Sequence, residues 1–192
     1  MLQHSDIAIE TDKANEQHYE LPTEFFQAVL GKRLKYSASL FNSNKTTLDQ
    51  AEELALASYC ERAQLQDGQD ILEIGCGWGS LSLWMAEHYP NANIIVVSNS
   101  ATQRVYIQEQ ARLKQFDNLS VITCDVNVLE LAAESFDRVV SVEMFEHVRN
   151  YQKLFEKIST WLKPEGLLWC HIFCHRFLHY PFEVKNEFDW MS

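Results

Sequence analysis

The chain has 192 residues, 46% hydrophobic and 12% aromatic, enough to bury one sizeable core and with no sign of two. Its 27 acids against 16 bases leave a formal net charge of −11, which repels polyanions and argues against nucleic acid or an anionic membrane surface as the main partner. Met1–Glu20 lacks the basic start and apolar stretch of a signal peptide, and no segment approaches the roughly 20 apolar residues of a membrane span. The expectation is a soluble, cytoplasmic protein with no stable membrane association. Cys60, Cys76, Cys124, Cys170 and Cys174 form no CxxC pair or zinc spacing, so they are read as reduced and mostly buried, with no disulfide and no metal. The bases are scattered, Lys32-Arg33-Leu34-Lys35 being their one cluster.

An N-terminal helical segment, residues 1–65, is expected to precede a core of residues 66–192 within one structural domain. Thr23–Leu30, opened by Pro22-Thr23-Glu24 and closed by Gly31, reads as a short helix with Phe25, Phe26, Val29 and Leu30 on its apolar face. Lys35–Phe41 is too polar for core and too aromatic for a simple linker. Thr46–Leu65 reads as a longer helix, with Thr46 three residues before Asp49 as a shortened capping box.

Residues 71–81 follow: an apolar run, Glu73, then Gly75, Gly77 and Gly79 on alternate positions. Ile71, Leu72 and Ile74 suit a buried strand. The glycines permit positive φ and close backbone approach as the chain enters a helix over Leu81–Tyr89. A tight turn alone needs fewer glycines, so a nucleoside-binding role is favoured. The spacing is G-x-G-x-G, and the acid lies two residues before the first glycine instead of about 20 after it, which favours S-adenosylmethionine over NAD.

Beyond the turn, strand and helix patterns alternate. Asn93–Ser98, Leu119–Cys124, Phe136–Val142 and Leu167–Phe173 read as strands, the last after a Lys163-Pro164-Glu165-Gly166 turn. Ala101–Gln115 and Tyr151–Leu162 read as helices. Continuous apolar strands alternating with helices predict a parallel sheet covered on both faces, a doubly wound α/β fold. Such sheets bind ligands outside the carboxyl ends of their strands, where strand order reverses.

The residues just after each strand are therefore the candidates. Asn99 could hydrogen-bond a ribose or cap the helix near Ala101. Asp125 could accept from an adenine amino group while the Val126 amide faces the ring, or it could cap a short helix. Glu143-Met144-Phe145-Glu146-His147 places two carboxylates and an imidazole within five residues. If the chain turns helical there, Glu143, Glu146 and His147 share one face. They could act as a general base, as a carboxylate pair for a cationic substrate or as metal ligands, the last being least supported because convincing ligands elsewhere are lacking. The alternative is acids at a helix N-terminus beside a surface histidine. His171, His175, His179 and Tyr180 are read as packing or pocket lining, since no HExxH accompanies them.

Taken together, Asn15–Pro22, Tyr36-Ser37, Thr47–Glu52, Leu72–Gly79, Glu143–His147 and His171–His175 resemble the coclaurine N-methyltransferase and cyclopropane-fatty-acid synthase superfamily over nearly the whole chain. The resemblance implies a class I, Rossmann-like methyltransferase using S-adenosyl-L-methionine, with the N-terminal segment covering the cofactor. Gly75, Gly77 and Gly79 would pass under the cofactor near Glu73. Tyr36 and Ser37 would hold its methionine end, Asn99 and Gln103 its ribose, and Asp125 and Val126 its adenine. In the amine branch, Glu143, Glu146 and His147 would face the substrate nitrogen, with Glu146 and His147 as candidate proton acceptors. Cyclopropane synthases usually carry a cysteine where Ala38 stands, and Tyr59–Gln64 looks more like the amine enzymes. N-methylation of a small amine is therefore expected over lipid modification or non-catalytic binding. The superfamily continues past the fifth strand with an antiparallel pair, so this sequence reads as lacking its last strands. Its fifth strand would then expose an apolar edge through which copies of the chain could associate.

Overall fold

Ile71 and Leu72 are adjacent on one strand and both fully buried, which requires a sheet covered on both faces. The computed structural model describes residues 4–8, 22–174 and 176. Among the described residues, two α-helices, α1 (Thr23–Val29) and α2 (Leu48–Arg62), precede the sheet. Then follow β1 (Asp70–Ile74), α3 (Ser80–His88), β2 (Asn93–Ser98), α4 (Ala101–Lys114), β3 (Leu119–Thr123), β4 (Phe136–Val142), α5 (Tyr151–Trp161) and β5 (Leu162–His171). The five described strands pair in parallel, in the order β3-β2-β1-β4-β5. The chain winds outward from β1 to β3, then restarts beside β1 with β4, so the direction of winding reverses between β1 and β4. This is the expected doubly wound α/β fold.

Alternate strand residues feed two cores. Ile71, Ile94, Val96 and Val140 pack with Ala55 and Leu56 of α2, Leu81 and Met85 of α3, and Ile107 of α4. Leu72, Ile74, Val97 and Val139 face the other way, toward Leu154, Ile158 and Trp161 of α5.

Three local expectations are corrected. Thr47, not Thr46, caps α2: its hydroxyl accepts from the Gln50 amide at 3.3 Å while Gln50 Oε1 accepts from the Thr47 amide at 3.0 Å. Thr46 instead donates to Asn42 Oδ1. The Lys163–Gly166 turn lies inside β5, because Leu162 already pairs with Phe136 and the register shifts before Arg138 meets Leu167. Glu165 takes a φ of 65° there, and Lys163 Nζ pins the irregularity to Asp70 and Asp137 at 2.7 and 2.9 Å. The cysteines divide: Cys60 and Cys76 are buried, Cys124 is intermediate, and Cys170 and Cys174 are exposed because they lie on and just beyond β5, which among the described residues pairs with β4 alone. Leu167 and Ile172 are exposed at the same edge. No described helix is long and apolar enough to cross a membrane.

Candidate functional site

A cleft opens at the carboxyl ends of β1, β2, β3 and β4, at the point of reversal. Its floor is the glycine turn. Gly75, Gly77 and Gly79 all have positive φ, at 80°, 52° and 78°, but they do different work. A Cβ on Gly75 would stand 2.6 Å from Met144 Cγ, and one on Gly79 2.6 Å from Ile107 Cγ1, so both are demanded by packing as well as by φ. A Cβ on Gly77 would meet nothing within 4 Å. Gly77 lines the cleft, whereas Gly79 is the left-handed N-cap of α3 and does not. The amides of Gly75 and Cys76 are both taken by the Val97 carbonyl, at 2.9 and 3.1 Å. The turn therefore offers open backbone at Gly77, while its first two amides are already spent.

Glu73 is buried beneath this floor and accepts from Ser82 Oγ at 2.5 Å. Burial pushes its carboxyl up to about 8, the Ser82 bond opposing the shift. After β2, Ser98 Oγ donates to Gln103 Oε1 at 2.6 Å, and Ser100, not Asn99, caps α4 through the Gln103 amide. Asn99 and Gln103 both line the cleft. After β3, Asp125 caps no helix; one carboxylate oxygen accepts from the Asn127 amide at 2.7 Å in a tight turn, and Asp125 and Val126 face the cleft. Three polar atoms of lining residues are buried without a hydrogen-bond partner among the described residues: Trp78 Nε1, Ser80 Oγ and Gln103 Nε2. Orphaned donors at a cleft are what a polar ligand would satisfy.

After β4 the expected helical triad is divided. Glu143 has a φ of 48°, and the following 3₁₀ turn covers only Phe145–His147, so the i, i+3, i+4 face does not form. Glu143 and His147 line the cleft; Glu146 does not. Glu146 Oε1 accepts from the Phe173 amide, and its Oε2 is buried without a partner among the described residues. Glu143 Oε1 accepts from the Ala38 amide at 3.0 Å and stands 3.9 Å from His171 Nδ1. That contact carries Tyr36 and Ser37, from the N-terminal segment, into the cleft wall. Tyr36 also sets its ring edge-on to Phe26, 5.4 Å away.

Residues 8–191 match the mycolic acid cyclopropane synthetase family. The chain belongs to this family. Within it, the chain is 38% identical over 191 residues to (S)-coclaurine N-methyltransferase of Thalictrum flavum subsp. glaucum, covering all of this chain and 53% of that protein. It is 36% identical over 157 residues to cyclopropane-fatty-acyl-phospholipid synthase of Escherichia coli K12, covering 81% of this chain and 39% of that one. A crystal structure of coclaurine N-methyltransferase bound to N-methylheliamine and SAH superimposes with a TM-score of 0.92 at 41% identity, covering 98% of this chain and 54% of that one. The chain thus spans about half the length of the curated amine methyltransferase it matches.

The cyclopropane synthetase family fold explains why residues distant in sequence meet here, but several lining residues carry no sequence signal of their own. Lys35 belongs to the basic cluster and would be read as surface, yet it is 3% exposed. Arg33, its neighbour, is spent on Glu53 and Glu87. Tyr59 reads as one more aromatic in a helix; burial pushes its phenol up to about 12, with Glu143 adding to the shift. Trp78 could have been noticed, being a buried aromatic set between two glycines of the motif. Among the described residues, no group of three or more His, Cys, Asp or Glu gathers as a metal site. Asn15–Leu21, His175, His179 and Tyr180 lie outside the described residues.

Proposed function

We propose that this protein is an S-adenosylmethionine-dependent methyltransferase that transfers a methyl group to the nitrogen of a small amine. The carrying observation is the cleft itself: open backbone at Gly77 and orphaned donors at Trp78, Ser80 and Gln103, beside Glu143 and His147. The cofactor would rest on Gly75–Trp78, with Gly79 shaping the turn from outside the cleft, Tyr36 and Ser37 at the methionine end, Asn99 and Gln103 at the ribose, and Asp125 and Val126 at the adenine. Bound there, it supplies a methyl group on a positively charged sulfur. The similarity to coclaurine N-methyltransferase over the whole chain, against a shorter match to the lipid enzyme, supports an amine acceptor.

The chemistry asks little of the protein beyond alignment and proton removal. A protonated amine has no lone pair with which to attack. Carboxylates in the wall attract the ammonium form, and a base in reach takes its proton before or during transfer. His147 is the base favoured by position, because it lines the cleft; Glu143 supplies negative charge, and Glu146 supports the turn from behind. The methyl of Ala38 offers no thiol for the lipid chemistry of the alternative branch.

The test is transfer of a labelled methyl group from adenosylmethionine to a panel of small secondary and tertiary amines, with an unsaturated phospholipid in parallel. Label on nitrogen is expected. Label on the lipid alone would replace this reading with the cyclopropane one, and cofactor binding without transfer to either would leave a binding module.

A further inference from the structure

A buried ammonium is costly unless its hydrogen bonds are met, so the position of Lys35 needs a reason. The chain is folded inward by Glu52, a fully buried carboxylate on α2. Glu52 accepts from the amides of Gly31, Arg33 and Lys35 at 3.0, 2.8 and 3.3 Å. Gly31 is required at this approach, since a Cβ there would lie 2.7 Å from the Glu52 carboxyl carbon. Lys35 Nζ then donates to Ser37 Oγ and to the Ala38 carbonyl, both at 2.5 Å, and sits 4.9 Å from the centre of the Tyr59 ring. Tyr59 Oη donates to the same carbonyl at 3.2 Å.

An ammonium has only donors, whereas a serine hydroxyl can be either donor or acceptor. With Nζ as the donor, Ser37 Oγ must accept from it, and its own proton is turned toward another acceptor. Ser37 lines the cleft, so that acceptor belongs to whatever lies there. We propose that Lys35 is a positioning residue for the amino-acid end of the cofactor: it converts the Ser37 hydroxyl into an obligate donor for the ligand's carboxylate and adds a positive charge behind it. This rests on the adenosylmethionine reading. Glu143 and Glu52 are the acids nearest in effect to Lys35, and they partly offset the lowering that burial imposes on its ammonium, which falls to about 8.

The experiment compares two ligands by calorimetry: S-adenosylhomocysteine and 5′-methylthioadenosine, which lacks the amino-acid end. Lys35→Met is expected to weaken adenosylhomocysteine binding about tenfold or more, as loss of a charge-assisted bond implies, and to leave methylthioadenosine within about twofold. Unchanged adenosylhomocysteine affinity, or an equal loss for both ligands, would overturn the proposal. Should Lys35→Met not fold, Lys35→Leu, which equally lacks a donor for Ser37, carries the same test with the same criteria. Wild-type protein that is folded yet binds neither ligand overturns the cofactor reading itself; wild-type binding with an indifferent variant overturns the role of Lys35 alone.

Discussion

Glu143 Oε1 accepts a hydrogen bond from the Ala38 amide at 3.0 Å, across 105 residues of sequence. The end of β4 is thereby hydrogen-bonded to the segment that brings Tyr36 and Ser37 to the cleft, and one carboxylate both lines the cleft and anchors that segment. Glu143→Gln keeps an acceptor for the amide but removes the charge. It is expected to bind adenosylhomocysteine within about threefold of wild type while losing amine turnover at least tenfold. Glu143→Ala loses both, with cofactor affinity falling about threefold to tenfold for the missing bond. Paired calorimetry and methyl-transfer rates distinguish the two variants.

His147 faces the cleft and Glu146 is tied to the Phe173 amide. His147→Ala is therefore expected to reduce turnover about a hundredfold with cofactor affinity nearly intact. Glu146→Gln, which retains an acceptor for Phe173, is expected to keep more activity than Glu146→Ala. Equal loss of turnover and cofactor binding in His147→Ala would point to a structural role instead.

Gly79 and Gly77 separate folding from binding. Gly79→Ala combines a φ of 78° with a contact 2.6 Å from Ile107, and is expected to cost about 2–4 kcal/mol of stability. Gly77→Ala meets no atom and should cost only the conformational strain, about 1–2 kcal/mol, but it places a methyl on the open floor. Urea unfolding should rank Gly79→Ala below Gly77→Ala, and calorimetry should show weakened cofactor binding in a Gly77→Ala protein that is still folded.

Glu73 predicts a pH dependence of stability. Burial raises its carboxyl to about 8 in the native state, whereas the unfolded chain loses that proton near the ordinary value of 4.5. Between these values the native state holds more protons than the unfolded state, so this group's stabilisation is complete below about 4.5 and is lost as pH rises toward 8. Glu73→Gln keeps an acceptor for Ser82 and cannot ionise. Melting temperatures measured from pH 5 to 8.5 should fall more steeply for wild type than for Glu73→Gln; parallel curves would contradict the raised value.

The strands were legible because a fully buried parallel strand is a continuous apolar run. Asn93–Ser98 and Phe136–Val142 fall at the expected bounds. Local signals misled where tertiary pairing overrode them. Pro164 and Gly166 mark a turn, but β5 had already begun at Leu162 opposite Phe136, so the turn became an irregularity within a strand. The Glu143–His147 run has helical spacing, yet the positive φ of Glu143 takes its side chain off that face. Lys35 was hidden for a different reason: the groups that make its burial tolerable, Ser37, Ala38 and Tyr59, converge only in the folded chain.

The cleft as a nucleoside site is tested most directly by titrating folded wild-type protein and Gly77→Val with S-adenosylhomocysteine. Saturable binding to one site per chain, abolished by a side chain at Gly77 in a variant that still melts cooperatively, is the expected result. No heat of binding from folded wild-type protein, or equal affinity in Gly77→Val, would contradict the account.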